Sequence, residues 1–406
     1  MTTCDKMIHI KSVLKRIRLS IYHIMDKIIP KNDKLIIFSD TWIGDNVNYL
    51  FDYLREDPDY DVLWLAREPK IEKKLLEKYH TSEVISLTSL KGLWYFSRAK
   101  ISVYGHGFWD YLNFLQEGSP KIILNVWHGI PIKGVKIDYQ NMDDDEKQQN
   151  NHLTLVNSFF DQQYFQERYQ EGIDGTRMVG YPRNQYIHEI ITNDNEMDKL
   201  REDIISEIPT DPNYVILYAP TFREQTSTEL FPFDDFDTEE LIEFCDENEI
   251  LFLIRPHPRE NEILKASEYK ELFDSDYFIK ADKSRFAETQ DLLLIADLLI
   301  TDYSSLVFDY FITQRPVLFI PYDLERYKKE RDMPQMYQEL AQRGSVDNLD
   351  ELLVSIEDAL IQDKESYRSR ALTNFEKYHD YRIDEVIPNI KQLLEDELSN
   401  YDLLDS

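Results

Sequence analysis

Three polar stretches in the second half of the chain directly follow apolar runs that are typical of buried strands. They are Arg223 after residues 215–219, Arg255 with His257 after residues 250–254, and Ser304 with Ser305 after residues 298–301. The carboxyl ends of parallel strands meet at one edge of a sheet, so these groups are expected to converge. Arginine binds phosphate oxygens in bidentate fashion, and a helix N-terminus complements negative charge. The pattern predicts a phosphate or diphosphate site, and the alternative is that the two serines only cap a helix.

A fourth polar group follows a strand in the first half of the chain. The run at residues 121–127 ends directly in His128, and Gly129 behind it allows a close approach of the backbone. The carboxyl edge of an open α/β sheet is where ligands bind, so His128 is placed to contact one. The other interpretation is a buried histidine whose hydrogen bonds are satisfied within the core.

Strands and helices alternate along the chain, which is the pattern of doubly wound parallel sheets. The acidic stretch at residues 187–212 lacks strand signals and closes with two prolines, so we place a domain boundary within it. The predicted fold is α/β, with two Rossmann-type domains facing each other across a cleft. The predicted divisions are a basic helix at 1–31, domains at 32–195 and 196–378, and a C-terminal helix at 379–406.

Composition narrows the classes of partner. The net charge of −31 argues against a nucleic-acid partner, because the phosphate backbone would be repelled. Two cysteines are too few for a disulfide framework, and no group of side chains has the spacing of metal ligands, so no metal or cofactor is expected. We find no run apolar enough to span a bilayer and no signal peptide, and we expect a cytoplasmic protein. The sequence does not determine the oligomeric state, and a homo-oligomer is compatible with it.

Residues 1–31 depart from this acidic average. They carry seven basic side chains against two acidic ones, and their apolar residues recur at helical spacing. A basic amphipathic helix is typical of contact with an anionic membrane surface. The alternative is an ordinary helix docked on the core with its lysines and arginines in solvent.

Taken in order, these stretches resemble the CDP-glycerol glycerophosphotransferase family, which comprises the teichoic acid primases and polymerases and related capsule enzymes. The resemblance covers roughly residues 34–327. The motifs that carry it are N-V-W-H-G-I-P-I-K at 125–133, G-Y-P-R-N at 180–184, L-Y-A-P-T-F-R at 217–223, I-R-P-H-P at 254–258, I-T-D-Y-S-S-L-V-F-D-Y at 300–310 and R-P-V-L-F-I-P-Y-D-L-E-R-Y at 315–327. Each motif alone is weak, but the ordered set is specific.

The resemblance implies a GT-B-like fold, attachment to the cytoplasmic face of the membrane, and transfer of a polyol phosphate from CDP-glycerol or CDP-ribitol to a lipid-linked or polymeric acceptor. It implies that His128 is the general base and that His257 contacts the donor diphosphate or assists the leaving CMP. The further substrate-binding residues that it implies are Arg223, Arg255, Thr301, Asp302, Ser304, Ser305, Asp309, Lys133 and Arg183. Ile130 and Phe222 stand where members often have threonine and tryptophan, and we interpret both as apolar wall positions away from the chemistry.

Two rival functions remain at this point. One is a GT-B glycosyltransferase that uses a CMP- or UDP-activated sugar, because related capsule enzymes share the His-Pro and Ser-Ser motifs. The other is a non-catalytic scaffold of the same fold, against which the presence of both His128 and His257 argues. Donor turnover separates these alternatives.

Overall fold

The computed structural model describes residues 20–22, 24–41, 43–105, 122–132, 152–169, 173–223, 228–257, 260, 263, 265, 267–331 and 335–404. They form two parallel sheets, which confirms the predicted alternation of strands and helices. The first sheet has the order β3-β2-β1-β4-β5-β6-β7 and the second the order β10-β9-β8-β11-β12. Every strand pair in both sheets is parallel.

The strands of the first sheet are β1 Asn32–Phe38, β2 Asp61–Ala66, β3 Val84–Ser86, β4 Ala99–Tyr104, β5 Ile122–Asn125, β6 His152–Val156 and β7 Thr176–Met178. Its helices are α1 Asn46–Arg55, α2 Pro69–Lys78, α3 Leu90–Arg98, α4 Phe159–Tyr169, α5 Pro182–Ile191 and α6 Asp194–Ile205. A further helical stretch at residues 24–28 precedes β1. Side-chain caps begin several helices, as Asp45 does for α1 and Ser89 for α3, by accepting hydrogen bonds from otherwise unpaired backbone N–H groups.

The strands of the second sheet are β8 Tyr214–Ala219, β9 Ile250–Ile254, β10 Phe278–Lys280, β11 Leu298–Thr301 and β12 Val317–Phe319. The helices of this half are α7 Thr238–Asn248, α8 Lys270–Asp274, α9 Thr289–Ile295, α10 Leu306–Phe311, α11 Leu324–Arg331, α12 Gln335–Gln342, α13 Leu349–Glu357, α14 Lys364–Tyr378 and α15 Val386–Leu404. The strands β9 and β11 are buried at every position, because helices cover both faces of the sheet.

One apolar cluster continues from a face of the first sheet to a face of the second, so the two domains share a core. Separate clusters cover the opposite face of each sheet. The acidic stretch at 187–212 is not an extended linker, because it contains half of α5 and all of α6. Both helices contact α9 of the second domain.

The chain returns to the first domain near its C-terminus. The backbone N–H of Asp380 donates to the carbonyl of Asn157 at 2.9 Å, and Arg177 pairs with Glu397 of α15 at 2.9 Å. The Tyr381 ring lies against Gly180, whose positive φ of 85° and missing side chain admit it. The C-terminal helix predicted at 379–406 is therefore a second connection between the domains, and it packs on α5.

Candidate active site

His128 lies on a turn whose backbone is held on several sides. The Asn125 side chain accepts a hydrogen bond from the backbone N–H of Trp127 at 2.9 Å. The Asn46 side chain at the start of α1 donates to the carbonyls of Val126 and Trp127, both at 3.1 Å. Trp127 has a positive φ of 48°, a conformation that costs about 1–3 kcal/mol for a residue with a side chain. Strain of this kind, supported by a surrounding network, is typical of functional sites.

The turn presents the His128 imidazole to solvent. The side chain is exposed, and its ring stacks on the indole of Trp127 with 4.2 Å between the centroids. The alternative interpretation of His128 as a buried core histidine is therefore wrong. Ile130 behind the turn is fully buried, as the interpretation of an apolar wall position predicts.

Arg183 lies beneath this turn, buried at the N-terminus of α5. Its Nη1 donates to Asp45 at 2.6 Å and to the carbonyl oxygen of His128 at 3.0 Å, and its Nη2 pairs with Asp309 of α10 at 2.9 Å. Gly129 has a φ of 121°, and a Cβ added there would collide with the Arg183 guanidinium. Arg183 and Asp309, both predicted to contact substrate, thus contact each other across the two domains.

Arg223 and Asp302 form a second buried network at the edge of the second sheet. The Arg223 guanidinium donates to Asp302 at 2.8 Å, to both oxygens of Asp323 at 2.9 Å, and to the carbonyl of Thr221 at 2.6 Å. It also lies within about 5 Å of the ring centroids of three tyrosines, which are Tyr303, Tyr322 and Tyr327. The neighbouring Thr301 hydroxyl donates to the carbonyl of Ala219 at 2.7 Å and is buried.

Burial and neighbouring charge act in opposite directions on Asp323. Removal of the carboxylate from water alone would raise its pKa, but the hydrogen bond and the positive charge of Arg223 outweigh that effect and hold the pKa below its usual range. Asp302 joins the loops that follow β8 and β11, because its Oδ1 accepts from the backbone N–H of Thr221 at 2.8 Å and of Tyr303 at 2.6 Å. The network therefore fixes the shape of this edge of the sheet.

Arg255 is also turned inward. Its five N–H groups reach the carbonyls of Ala281, Phe286 and Ala287 and the hydroxyl of Thr289, at distances from 2.7 to 3.5 Å. Burial among neutral acceptors lowers the pKa of Arg255 to about 10. Like Arg183 and Arg223, it holds the protein together around the site, and direct phosphate contact stays a prediction for all three.

Three predicted site residues at the edge of the second sheet, His257, Ser304 and Ser305, are at least partly exposed to solvent. His257 is exposed, and its ring centroid lies 5.4 Å from that of Phe222, which we interpreted as an apolar wall position. Ser304 and Ser305 are half-buried where α10 begins, and the Ser304 hydroxyl oxygen accepts from the N–H of Leu306 at 3.3 Å. Lys133 lies outside the described residues.

Sequence reasoning gave no role to the residues whose buried contacts shape the site, chiefly Asp45, Asn46 and Asp323. Their signals were local: Asp45 and Asn46 stand at a helix start, and Asp323 lies within the motif at residues 315–327. Within the described ranges, no group of three or more histidine, cysteine or acidic side chains is arranged to hold a metal ion. Within the same ranges, no helix combines the length and the apolarity needed to cross a membrane.

The amino-acid sequence was compared with those of known proteins. The chain is 31% identical over 345 residues to the teichoic acid poly(glycerol phosphate) polymerase of Bacillus spizizenii, covering 78% of this chain and 81% of that protein. It is 28% identical over 343 residues to the teichoic acid glycerol-phosphate transferase of Staphylococcus aureus, covering 79% and 83%.

Among solved structures, the wall teichoic acid polymerase TagF superposes with a TM-score of 0.73 at 20% identity, covering 98% of this chain and 97% of that one. This likeness, with the two parallel sheets, confirms the predicted GT-B-like fold. The model of the CDP-glycerol:poly(glycerophosphate) glycerophosphotransferase family matches residues 21–390. The chain belongs to that family of transferases.

Proposed function

We propose that the protein transfers a polyol phosphate, glycerol phosphate in the first instance, from a CDP-activated donor to a hydroxyl of a lipid-linked or polymeric acceptor. The acceptor oxygen forms a bond to the phosphorus of the polyol phosphate, the bond from that phosphorus to the CMP oxygen breaks, and CMP leaves. The observation that carries the proposal, beside membership of the family, is the exposed His128 imidazole on a strained and heavily supported turn.

In this mechanism His128 accepts the proton of the acceptor hydroxyl as that oxygen attacks. A neutral imidazole is suited to this role because it can accept a proton and release it again near neutral pH. His257, Ser304 and Ser305 are the outward-facing groups that we assign to the donor diphosphate, where their N–H and O–H donors offset charge on the departing CMP. Arg223 and Arg255 support the loops that carry these groups.

The test is acceptor-dependent CMP release from CDP-glycerol and CDP-ribitol, compared between wild type, His128→Ala and His257→Ala. Loss of a general base costs about 10²–10⁴-fold, so we expect His128→Ala to be slower by at least that lower factor. His80→Ala is the matched control, because His80 is an exposed histidine at the end of α2. Turnover of a sugar nucleotide in place of both CDP-polyols would assign the protein to the glycosyltransferases.

We further propose that the first domain rests on an anionic membrane through residues 1–31 and the outer face of α3. Ile24 and Ile28 are 62% and 71% exposed, and Leu90 of α3 is 70% exposed. Trp94 follows Leu90 by one turn and carries Arg98 over its ring at 5.1 Å. Residues 89–100 contain three basic side chains and no acidic one, in a chain of net charge −31. Exposed apolar rows flanked by positive charge complement an anionic lipid surface.

Sedimentation with phosphatidylglycerol vesicles tests this contact. Each lost apolar anchor removes about 1.5–3 kcal/mol, so replacing both Leu90 and Trp94 by serine is expected to weaken binding at least about a hundredfold. Val354→Ser is the control, because Val354 is 60% exposed on α13, in an acidic setting. Equal binding of the double variant and wild type would refute a role for α3, and equal loss in the control would refute its specificity.

A further inference from the structure

The Arg183 guanidinium forms a buried ion pair that links the two domains. It comes from α5 of the first domain and pairs with Asp45 of that domain and with Asp309 of α10 in the second. The side chains of Arg183 and Asp309 are 6% and 2% exposed. A buried cation between two carboxylates is expensive to disturb, because removing one partner leaves the others uncompensated in a medium of low dielectric.

The same guanidinium also holds the candidate base. Its Nη1 donates to the His128 carbonyl oxygen at 3.0 Å, and the Asn46 side chain, which holds the two preceding carbonyls, accepts from the Arg183 backbone N–H at 3.2 Å. The backbone that carries the imidazole is thus fixed from α5. Gly129 fits this contact, because any side chain there would displace the guanidinium.

The other end of the link lies in the donor half of the proposed site. Asp309 follows Ser305 by four residues, so one turn of α10 separates the Arg183 ion pair from the serines that we assign to the diphosphate. Burial raises the pKa of the Asp309 carboxyl, while the charge of Arg183 opposes the shift. A continuous set of contacts therefore runs from the start of α10 through Asp309 and Arg183 to the His128 backbone.

We propose that Arg183 is a positioning residue: it orients His128 toward the second domain by binding the His128 carbonyl and Asp309 at once, and it does not touch substrate. The inference rests on the proposed function of His128 as the base. It replaces the expectation that Arg183 binds substrate, and the two roles differ in what they predict. A substrate ligand acts whether or not His128 is present, whereas a positioning residue acts only through His128.

The experiment is a double-mutant cycle on CMP release with the full chain, using Arg183→Lys in the wild-type and His128→Ala backgrounds. We expect Arg183→Lys to lower kcat at least about tenfold in the wild-type background, with the KM for CDP-glycerol within about twofold. In the His128→Ala background the same change is expected to cost less than about twofold. Arg177→Lys is the matched control, because Arg177 joins the first domain to α15 without contact to the His128 turn.

Equal losses in both backgrounds, or a rise in KM without a fall in kcat, would overturn the inference in favour of substrate binding. No loss in the wild-type background would overturn it outright. Asp309→Asn, which keeps the size of the side chain, serves if Arg183→Lys does not fold, and it is expected to give the same pattern. The ring ¹⁵N resonances of His128 supply a readout without turnover, and they are expected to shift in Arg183→Lys. If the wild type releases no CMP from any CDP-polyol, the proposed function fails, while the resonances still test the contact.

Discussion

Replacement of Arg223 by methionine separates a structural role from a substrate-binding one. The Arg223 side chain is 1% exposed and compensates two carboxylates, Asp302 and Asp323. Methionine keeps the length of the chain but removes the charge and every N–H donor. Breaking a buried ion pair by removing one partner costs about 3–5 kcal/mol, since the remaining charges stay buried without compensation. For a domain of 150–250 residues, about 2–4 °C per kcal/mol converts this cost to a fall in Tm of about 6–20 °C.

The assay is thermal unfolding of the protein without substrate, followed by circular dichroism at pH 7. Arg326→Met is the control, because Arg326 contacts the same Asp323 carboxylate at 2.7 Å from the surface, and we expect its Tm to match that of wild type. A Tm of Arg223→Met within 1 °C of wild type, together with a raised KM for the CDP donor, would refute the structural role. It would support the sequence-based prediction that Arg223 binds a substrate phosphate.

The pH dependence of this difference follows from Asp323. Its pKa in the folded protein is depressed by Arg223, so its contribution to stability is present above the unfolded pKa of about 3.9 and is lost as pH falls through the lower folded value. Arg223→Met lacks that contribution at every pH. The gap in Tm between the two proteins is therefore expected to narrow below about pH 4.

Two further predictions concern pH and salt. Burial lowers the pKa of His379 to about 4, so the folded state binds fewer protons than the unfolded state between about pH 6.5 and 4, and stability is lost as pH falls through that window. We expect a loss of about 3 kcal/mol in urea unfolding by pH 4, absent in His379→Asn, and equal acid sensitivity of the two proteins would contradict this. With a net charge of −31, the body of the protein repels a CDP-polyol, so kcat/KM for the donor is expected to rise between about 0.05 and 0.2 M NaCl. A steady fall over that range would contradict the repulsion.

The fold could be predicted from the sequence where burial alone dictates the residue pattern. Strands β9 and β11 were predicted with their observed bounds, because a strand covered on both faces reads as an unbroken apolar run. Helix α6 was missed within the acidic stretch at 187–212. Its few apolar residues, Met197, Leu200 and Ile204, lie at helical spacing but are outnumbered by charges, and they find their cover in the shared core. Trp94 is 36% exposed, because the opposite face of α3 supplies the buried side chains.

The site could be predicted only as far as topology determines it. A residue that follows a parallel strand lies at the carboxyl edge wherever its side chain turns, so His128, His257, Ser304 and Ser305 were located from their positions alone. Whether an arginine at that edge faces the ligand or the interior depends on carboxylates far along the chain. Asp302 lies 79 residues from Arg223, and Asp309 lies 126 residues from Arg183. Nothing local in the sequence marks these pairs.

The pairing of these arginines bears on how an acidic protein can handle phosphate-rich substrates. Arg183 and Arg223 each face two carboxylates, so neither network presents net positive charge to the cleft. The donors that we assign to the phosphates, on His257, Ser304 and Ser305, are imidazole and hydroxyl groups, and such groups bind phosphate through directed hydrogen bonds more than through long-range attraction. Directed bonds strengthen only when the phosphate oxygens reach the correct geometry. If the proposed function holds, we expect the buried ion pairs to contribute to catalysis by making this edge of the sheet rigid.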